Sequence, residues 1–116
     1  MNVDRIDDGI WQLGKDYTPA VFPDLTIPRG FMWNGASIPK MARFILSNEE
    51  LGVLEASCAH DLLYANGGRI GNGVKLTRKQ ADTIFRHELI YYGIGSIRAY
   101  LAYEAVRMFG GSHWNA

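Results

Sequence analysis

An α+β fold is what this sequence predicts: a small N-terminal β-hairpin and turn region packed on three C-terminal helices, two of them antiparallel. Three observations predict it. Pro19, Pro23, Pro28, Pro39 and scattered glycines separate short aromatic and β-branched runs in roughly the first 40 residues, a strand-and-turn composition. Beyond that point apolar residues recur at helical spacing. Two segments, Ser47-Asn48-Glu49-Glu50 and Thr77-Arg78-Lys79-Gln80, read as capping boxes, in which a hydroxyl and a carboxylate or amide satisfy the free amides of a first helical turn.

Taken in order, Asp24-Leu25-Thr26-Ile27 and Phe31-Met32-Trp33 flank Pro28-Arg29-Gly30, which suits a turn, so these runs are expected to pair as a hairpin. Pro39 is expected to open a short helix carrying Met41, Phe44 and Ile45, because proline fits a first turn. The first long helix is expected from the Ser47 capping box to Tyr64 or Ala65, stopping at Asn66-Gly67-Gly68. The second runs from Thr77 through Tyr92 to Gly93. The third starts near Ser96, buries Ile97, Leu101, Ala105 and Met108, and ends at Gly110-Gly111. The chain has 116 residues, enough for one domain spanning 1–116 with a modest core.

Charge and composition exclude several classes. Twelve Lys and Arg balance twelve Asp and Glu, so no global field favours nucleic acid, and the aromatics do not interleave with a basic run. A lone Cys58 forms no internal disulfide, which favours an intracellular or virion setting over a disulfide-stapled secreted fold. Neither a transmembrane segment nor the basic-then-apolar start of a signal peptide is visible. The composition leaves the oligomeric state open.

The chemistry concentrates at His60-Asp61, inside Cys58-Ala59-His60-Asp61-Leu62-Leu63-Tyr64, with Asp82 downstream. Histidine exchanges protons near neutral pH. His60 and Tyr64 are four residues apart and share a helix face, while Asp61 lies about 100° round the helix. Asp82 shares a stripe with Phe85, Leu89 and Tyr92, and a carboxylate on an apolar stripe needs a partner. A short glycine-rich return from Asn66 to Leu76 lets the two helices run antiparallel and bring Asp82 to His60. Two readings stay open. The residues either form a hydrolytic site or are a buried network that fixes helix register, with Asp61 capping or pairing with Arg78 or Arg69. The segment Asn34 to Pro39 is either a carbonyl-donating loop for a cation or a turn with Ser37 capping the next helix. His87 is expected on a solvated face beside Arg86 and Glu88. His113-Trp114 is expected to tuck its aromatic ring into the core, with a lipid or partner contact as the alternative. Cys58, two residues before His60, points elsewhere and makes no nucleophilic pair with it.

Three blocks resemble a family found in tailed bacteriophages and prophages and catalogued as domain of unknown function 1353. They are the run from Gly30 to Pro39, His60-Asp61-Leu62-Leu63-Tyr64, and the run from Arg78 to Phe85, followed by Val106 to Gly111. That family often carries aspartate where Asn34 stands here. The resemblance implies a phage setting, with virion proteins among the candidate partners. The second and third blocks are also similar to the small bacterial and parvoviral phospholipases A2. That likeness implies a calcium-assisted esterase in which His60 is the general base for water, Asp82 orients it, Tyr64 joins the network and Asp61 holds Ca²⁺. The glycine-rich calcium loop of those enzymes is absent, and Trp33, Asn34 and Gly35 are its candidate stand-in. A lipid or small molecule is the ligand class implied. The alternative is a non-catalytic phage protein, either a virion or tail component or an accessory factor binding a small host molecule.

Overall fold

The computed structural model describes residues 1–47 and 50–116. Strands β1 (Val3–Asp7) and β2 (Ile10–Leu13) form an antiparallel hairpin, and β3 (Met32–Trp33) pairs antiparallel with β2. Helices α1 (Lys40–Ile45) and α2 (Val53–Ala65) follow. A second hairpin, β4 (Arg69–Gly71) and β5 (Val74–Lys75), leads to α3 (Arg78–Tyr91) and α4 (Ser96–Phe109), and a 3₁₀ turn covers Gly111–His113. The fold is therefore α+β, as the composition of the two halves predicts. No helix among the described residues is long and apolar enough to cross a membrane.

Several details differ from expectation. The 24–27 run does not pair with 31–33; Ile27 instead bridges Tyr17, and Met32 and Trp33 pair with Gln12 and Trp11. The turn at Pro28 forms, with the Phe31 amide donating to the Pro28 carbonyl, but it redirects the chain rather than closing a hairpin. Helix α2 begins at Val53, six residues after Ser47, because Gly52 takes φ 92°, a left-handed conformation that interrupts a helix. A side chain at Gly52 would also collide with Tyr92. The Glu50 carboxylate does reach back to the Ser47 amide at 3.0 Å, while Asn48 and Glu49 of that predicted box lie outside the described residues. The Thr77–Gln80 capping box is present in full.

The return between α2 and α3 is a β-hairpin rather than an irregular loop. Asn72 and Gly73 both have positive φ, the geometry that an Asn-Gly pair supplies in tight hairpins. It makes α2 and α3 antiparallel: Tyr64 meets Arg78 while His60 meets Asp82 and Phe85.

Of the four α4 residues expected to be buried, Ala105 is, and Ile97, Leu101 and Met108 are not. The helix buries Ala99, Ala102, Ala105 and Val106, whereas Ile97, Leu101 and Met108 are 76%, 47% and 70% exposed. Small alanines let α4 approach its neighbours closely, and that packing outweighs the transfer of larger side chains. Helix α2 lies at the centre, between one cluster including Ala42, Phe85, Leu89 and Ala102 and another including Leu13, Ile27, Trp33 and Leu63. Its nine buried residues leave almost no polar face, so the side chains around His60 are fixed on all sides.

Candidate catalytic site

Antiparallel packing of α2 on α3 places the His60 Nε2 at 2.7 Å from Asp82 Oδ1. The expected meeting of these two groups occurs, and both are sealed from solvent, at 1% and 0% exposure. Tyr64, one turn after His60 on α2, donates its hydroxyl to the same Asp82 oxygen at 2.6 Å. The other Asp82 oxygen accepts from Arg107 Nη1 of α4 at 2.7 Å, with Arg78 Nη1 3.6 Å away. Arg78 also donates to the Tyr64 hydroxyl and to the carbonyls of Val106 and Arg107, which ties α3 to the end of α4.

This ring of donors keeps Asp82 anionic. Burial alone would push its carboxyl up, but the hydrogen bond and charge of His60, followed by the bonds from Tyr64 and Arg107, hold it below the ordinary 3.8. Burial pushes the Tyr64 phenol up, and the adjacent Asp82 carboxylate adds to this, so Tyr64 stays a protonated donor. An anionic Asp82 accepts from His60 Nε2–H, which leaves Nδ1 as the ring nitrogen turned to another partner.

What faces Nδ1 is Ser37. Its Oγ lies 2.7 Å from His60 Nδ1 and also donates to Asp61 Oδ1. One hydroxyl thus stands between two bases. Ser37 is not a helix cap: α1 begins after Pro39, and no side chain caps it. Sequence reasoning missed this serine's role. The available signal was a small hydroxyl residue inside the Gly30–Pro39 block that also carries the family resemblance. Arg107 was missed as well, because nothing local couples it to a residue 25 positions earlier.

Asp61 takes neither Arg78 nor Arg69 as partner. Its carboxylate accepts from the backbone amides of Gly35 at 2.7 Å and Ser37 at 3.2 Å, and so anchors the 34–37 loop against α2. The loop is self-braced. Asn34 Oδ1 accepts from the Ala36 amide, the Gly35 carbonyl accepts from Ile38 N–H and Arg43 Nη2, and Trp33 Nε1 donates to Ser57. Asp61 with Trp33, Asn34 and Gly35 was the expected calcium set. As arranged, N–H donors face the carboxylate and the Gly35 carbonyl is already engaged, so this set does not fit a calcium ion.

Ser37, Asp61 and Tyr64 border a hollow of about 560 Å³, within the size range of small-molecule sites. Its apolar walls include Ile6 and Ile10 of the first hairpin together with Phe31, Met32 and Trp33, and its rim carries Asp7, Asn34 and His113. The Phe31 and Trp33 rings stack at 6.1 Å with planes 7° apart. The tail closes the rear of the site. Trp114 packs edge-on against Tyr64 at 5.1 Å, the Asn115 amide donates to the Tyr64 carbonyl, and a Cβ on Gly110 would come within 3.1 Å of the Tyr64 hydroxyl. The expected tucking of Trp114 therefore occurs, while His113 is exposed at the rim. His87 is also exposed, but its neighbour Glu88 is fully buried. Cys58 is buried, and burial pushes its thiol up, which leaves it a poor nucleophile.

The fold and site define a class: a small α+β protein with a serine–histidine–aspartate chain running from an apolar hollow into its core. The model of the family described as a protein of unknown function (DUF1353) matches residues 11–106, and the chain belongs to that family. No curated protein and no solved structure matches it.

Proposed function

We propose that this protein hydrolyses a carboxylic ester through Ser37 as nucleophile, with His60 as its general base and Asp82 holding the imidazole. The observation that carries this reading is the pair of 2.7 Å contacts, Ser37 Oγ to His60 Nδ1 and His60 Nε2 to Asp82 Oδ1, beginning at a residue that borders the hollow. Nucleophile, base and orienting acid within hydrogen-bond reach of one another are the geometric signature of activated serine chemistry.

In this reading the Ser37 hydroxyl turns its one proton from Asp61 to His60 Nδ1, and Oγ attacks the substrate carbonyl carbon as that proton passes to Nδ1. The imidazolium, stabilised by Asp82 through Nε2–H, then returns that proton to the leaving alkoxide. A water molecule, deprotonated in the same way, releases the acid and restores Ser37. Asn34, on the rim, carries the side-chain amide nearest in role to an oxyanion donor, because the amides of Gly35 and Ser37 are spent on Asp61. The phospholipase A2 likeness supplies the ester class, although its water-activated route needs water where Ser37 Oγ stands.

That same use of the loop amides favours a second reading. Here the network only fixes helix register, and the hollow binds a small host molecule in a non-catalytic phage component, in the host cytoplasm or virion. Hydrolysis of p-nitrophenyl esters and of mixed liposomes, with calcium or with EGTA, separates the two. The esterase reading expects turnover that falls about a thousandfold or more in Ser37→Ala and His60→Ala. Turnover that survives in Ser37→Ala removes Ser37 as the nucleophile. No turnover above background leaves the binding reading standing.

A further inference from the structure

We infer that the ligand of the hollow is an apolar molecule bearing a cationic amine, and not an anionic lipid or acid. This deepens the esterase reading and, as a statement about substrate, rests on it.

The argument is one of charge and surface. The walls of the hollow are aliphatic and aromatic, and among the described residues that border it there is no lysine or arginine. Two carboxylates do border it, Asp7 on the hairpin side and Asp61 on the α2 side. Asp61 is backed by two loop amides that hold it in place. Asp7 is exposed at the end of β1 and accepts from the Asp8 amide. Half-buried Phe31, backed by the buried Trp33 ring, adds an aromatic wall of the kind that attracts ammonium groups. An apolar body buried against Ile6, Ile10 and Met32 would therefore carry any ammonium group towards negative potential. A phosphate or carboxylate on the same body would face two carboxylates with no lysine or arginine in the lining to offset them, and only His113 at the rim as a side chain able to carry positive charge. The arginines nearest the chemistry, Arg78 and Arg107, face Asp82 behind Tyr64 and are not part of the lining.

The test uses ligands with no bond to cleave. Octylammonium, octanol and octanoate, each below its micelle concentration, are titrated into the wild-type protein by calorimetry near pH 7. The expected order of affinity is octylammonium, then octanol, then octanoate, with the two ions separated by roughly fivefold or more, as for one unit charge about 4 Å from another near water. Asp7→Asn, an exposed change at a strand end, is expected to narrow that gap. Octanoate binding as tightly as octylammonium, or failure of all three to saturate, overturns the inference.

A kinetic arm keeps the two proposals distinguishable. Matched acyl esters of an ammonium alcohol and of a hydroxy acid are compared, and kcat/KM is expected to favour the ammonium ester. Absent turnover with the binding order intact removes the esterase and leaves the charge preference. Turnover that favours the acidic ester removes the charge preference and leaves the esterase.

Discussion

Helix α3 buries two carboxylates fewer than two turns apart, Asp82 and Glu88, and their surroundings differ in kind. Asp82 faces α2 and α4 and gathers histidine, tyrosine and two arginines, and through His60 it connects to a serine at the edge of a hollow. Glu88, about 240° further round the helix, faces the N-terminal loop. It accepts from the Tyr17 hydroxyl at 3.1 Å and the Val21 amide at 3.0 Å, and Tyr17 in turn meets the Tyr92 hydroxyl. Burial, the bond with Tyr92 and the charge of Glu88 all push the Tyr17 phenol up, so it remains a donor. Both carboxylates are fully enclosed and both are hydrogen-bonded. Burial of charge therefore does not by itself mark a site. What separates Asp82 is an imidazole partner whose other nitrogen meets a serine at the edge of a cavity, whereas Glu88 clamps a loop to a helix.

The largest expected effect breaks that comparison outright. Asp82→Asn keeps the shape of the side chain but removes the anion, and should lower ester turnover by about ten-thousandfold, as in serine triads whose aspartate becomes asparagine. Glu88→Gln should leave turnover within about twofold. Steady-state kinetics beside circular dichroism checks both, and equal losses in the two variants would erase the distinction. Next in size, Asp82→Ala strands two arginines and a tyrosine and should cost about 3–5 kcal/mol in urea unfolding. Glu88→Ala should cost about 1–3 kcal/mol, the usual penalty for orphaned buried donors, with Tyr17→Phe at about 1 kcal/mol.

The smallest effect is in pH. Asp82 titrates below 3.8 when folded, so in the acid window the unfolded chain binds more protons. Its contribution to stability is complete above that value and is lost as pH falls through the lower folded one. Wild-type stability measured by denaturant titration should drop more steeply below about pH 4 than that of Asp82→Asn. Parallel acid profiles would mean that Asp82 is no more strongly held as an anion than an ordinary carboxylate.

The meeting of His60, Tyr64 and Asp82 was legible in the sequence because it needs only three local facts: an i, i+4 pair, an acid on an apolar stripe and a short return between two helices. The return also carried a hairpin signal, Asn72-Gly73, flanked by too few residues to read as strands. What stayed hidden is non-local. Ser37 reaches His60 across 23 positions, and Arg107 reaches Asp82 across 25. No periodicity encodes which loop or helix end will arrive there. Glu88, beside Arg86 and His87, has the composition of a solvated face, and only the docking of Tyr17 and Val21 covers it. Helix α4 misled for a related reason. Its alanines and its large apolar residues make two competing stripes, and the choice between them depends on how close the neighbouring helices can come.

The grip of the tail on Tyr64 has a practical corollary. A methyl group on Gly110 would meet the Val106 carbonyl at 2.6 Å and crowd the Tyr64 hydroxyl at 3.1 Å, and Trp114 and Asn115 hold Tyr64 from behind. Alterations confined to positions 110–115 are thus mechanically linked to Tyr64 and, through its hydroxyl, to Asp82. An affinity handle spliced into that stretch would disturb the buried network it was meant to help purify.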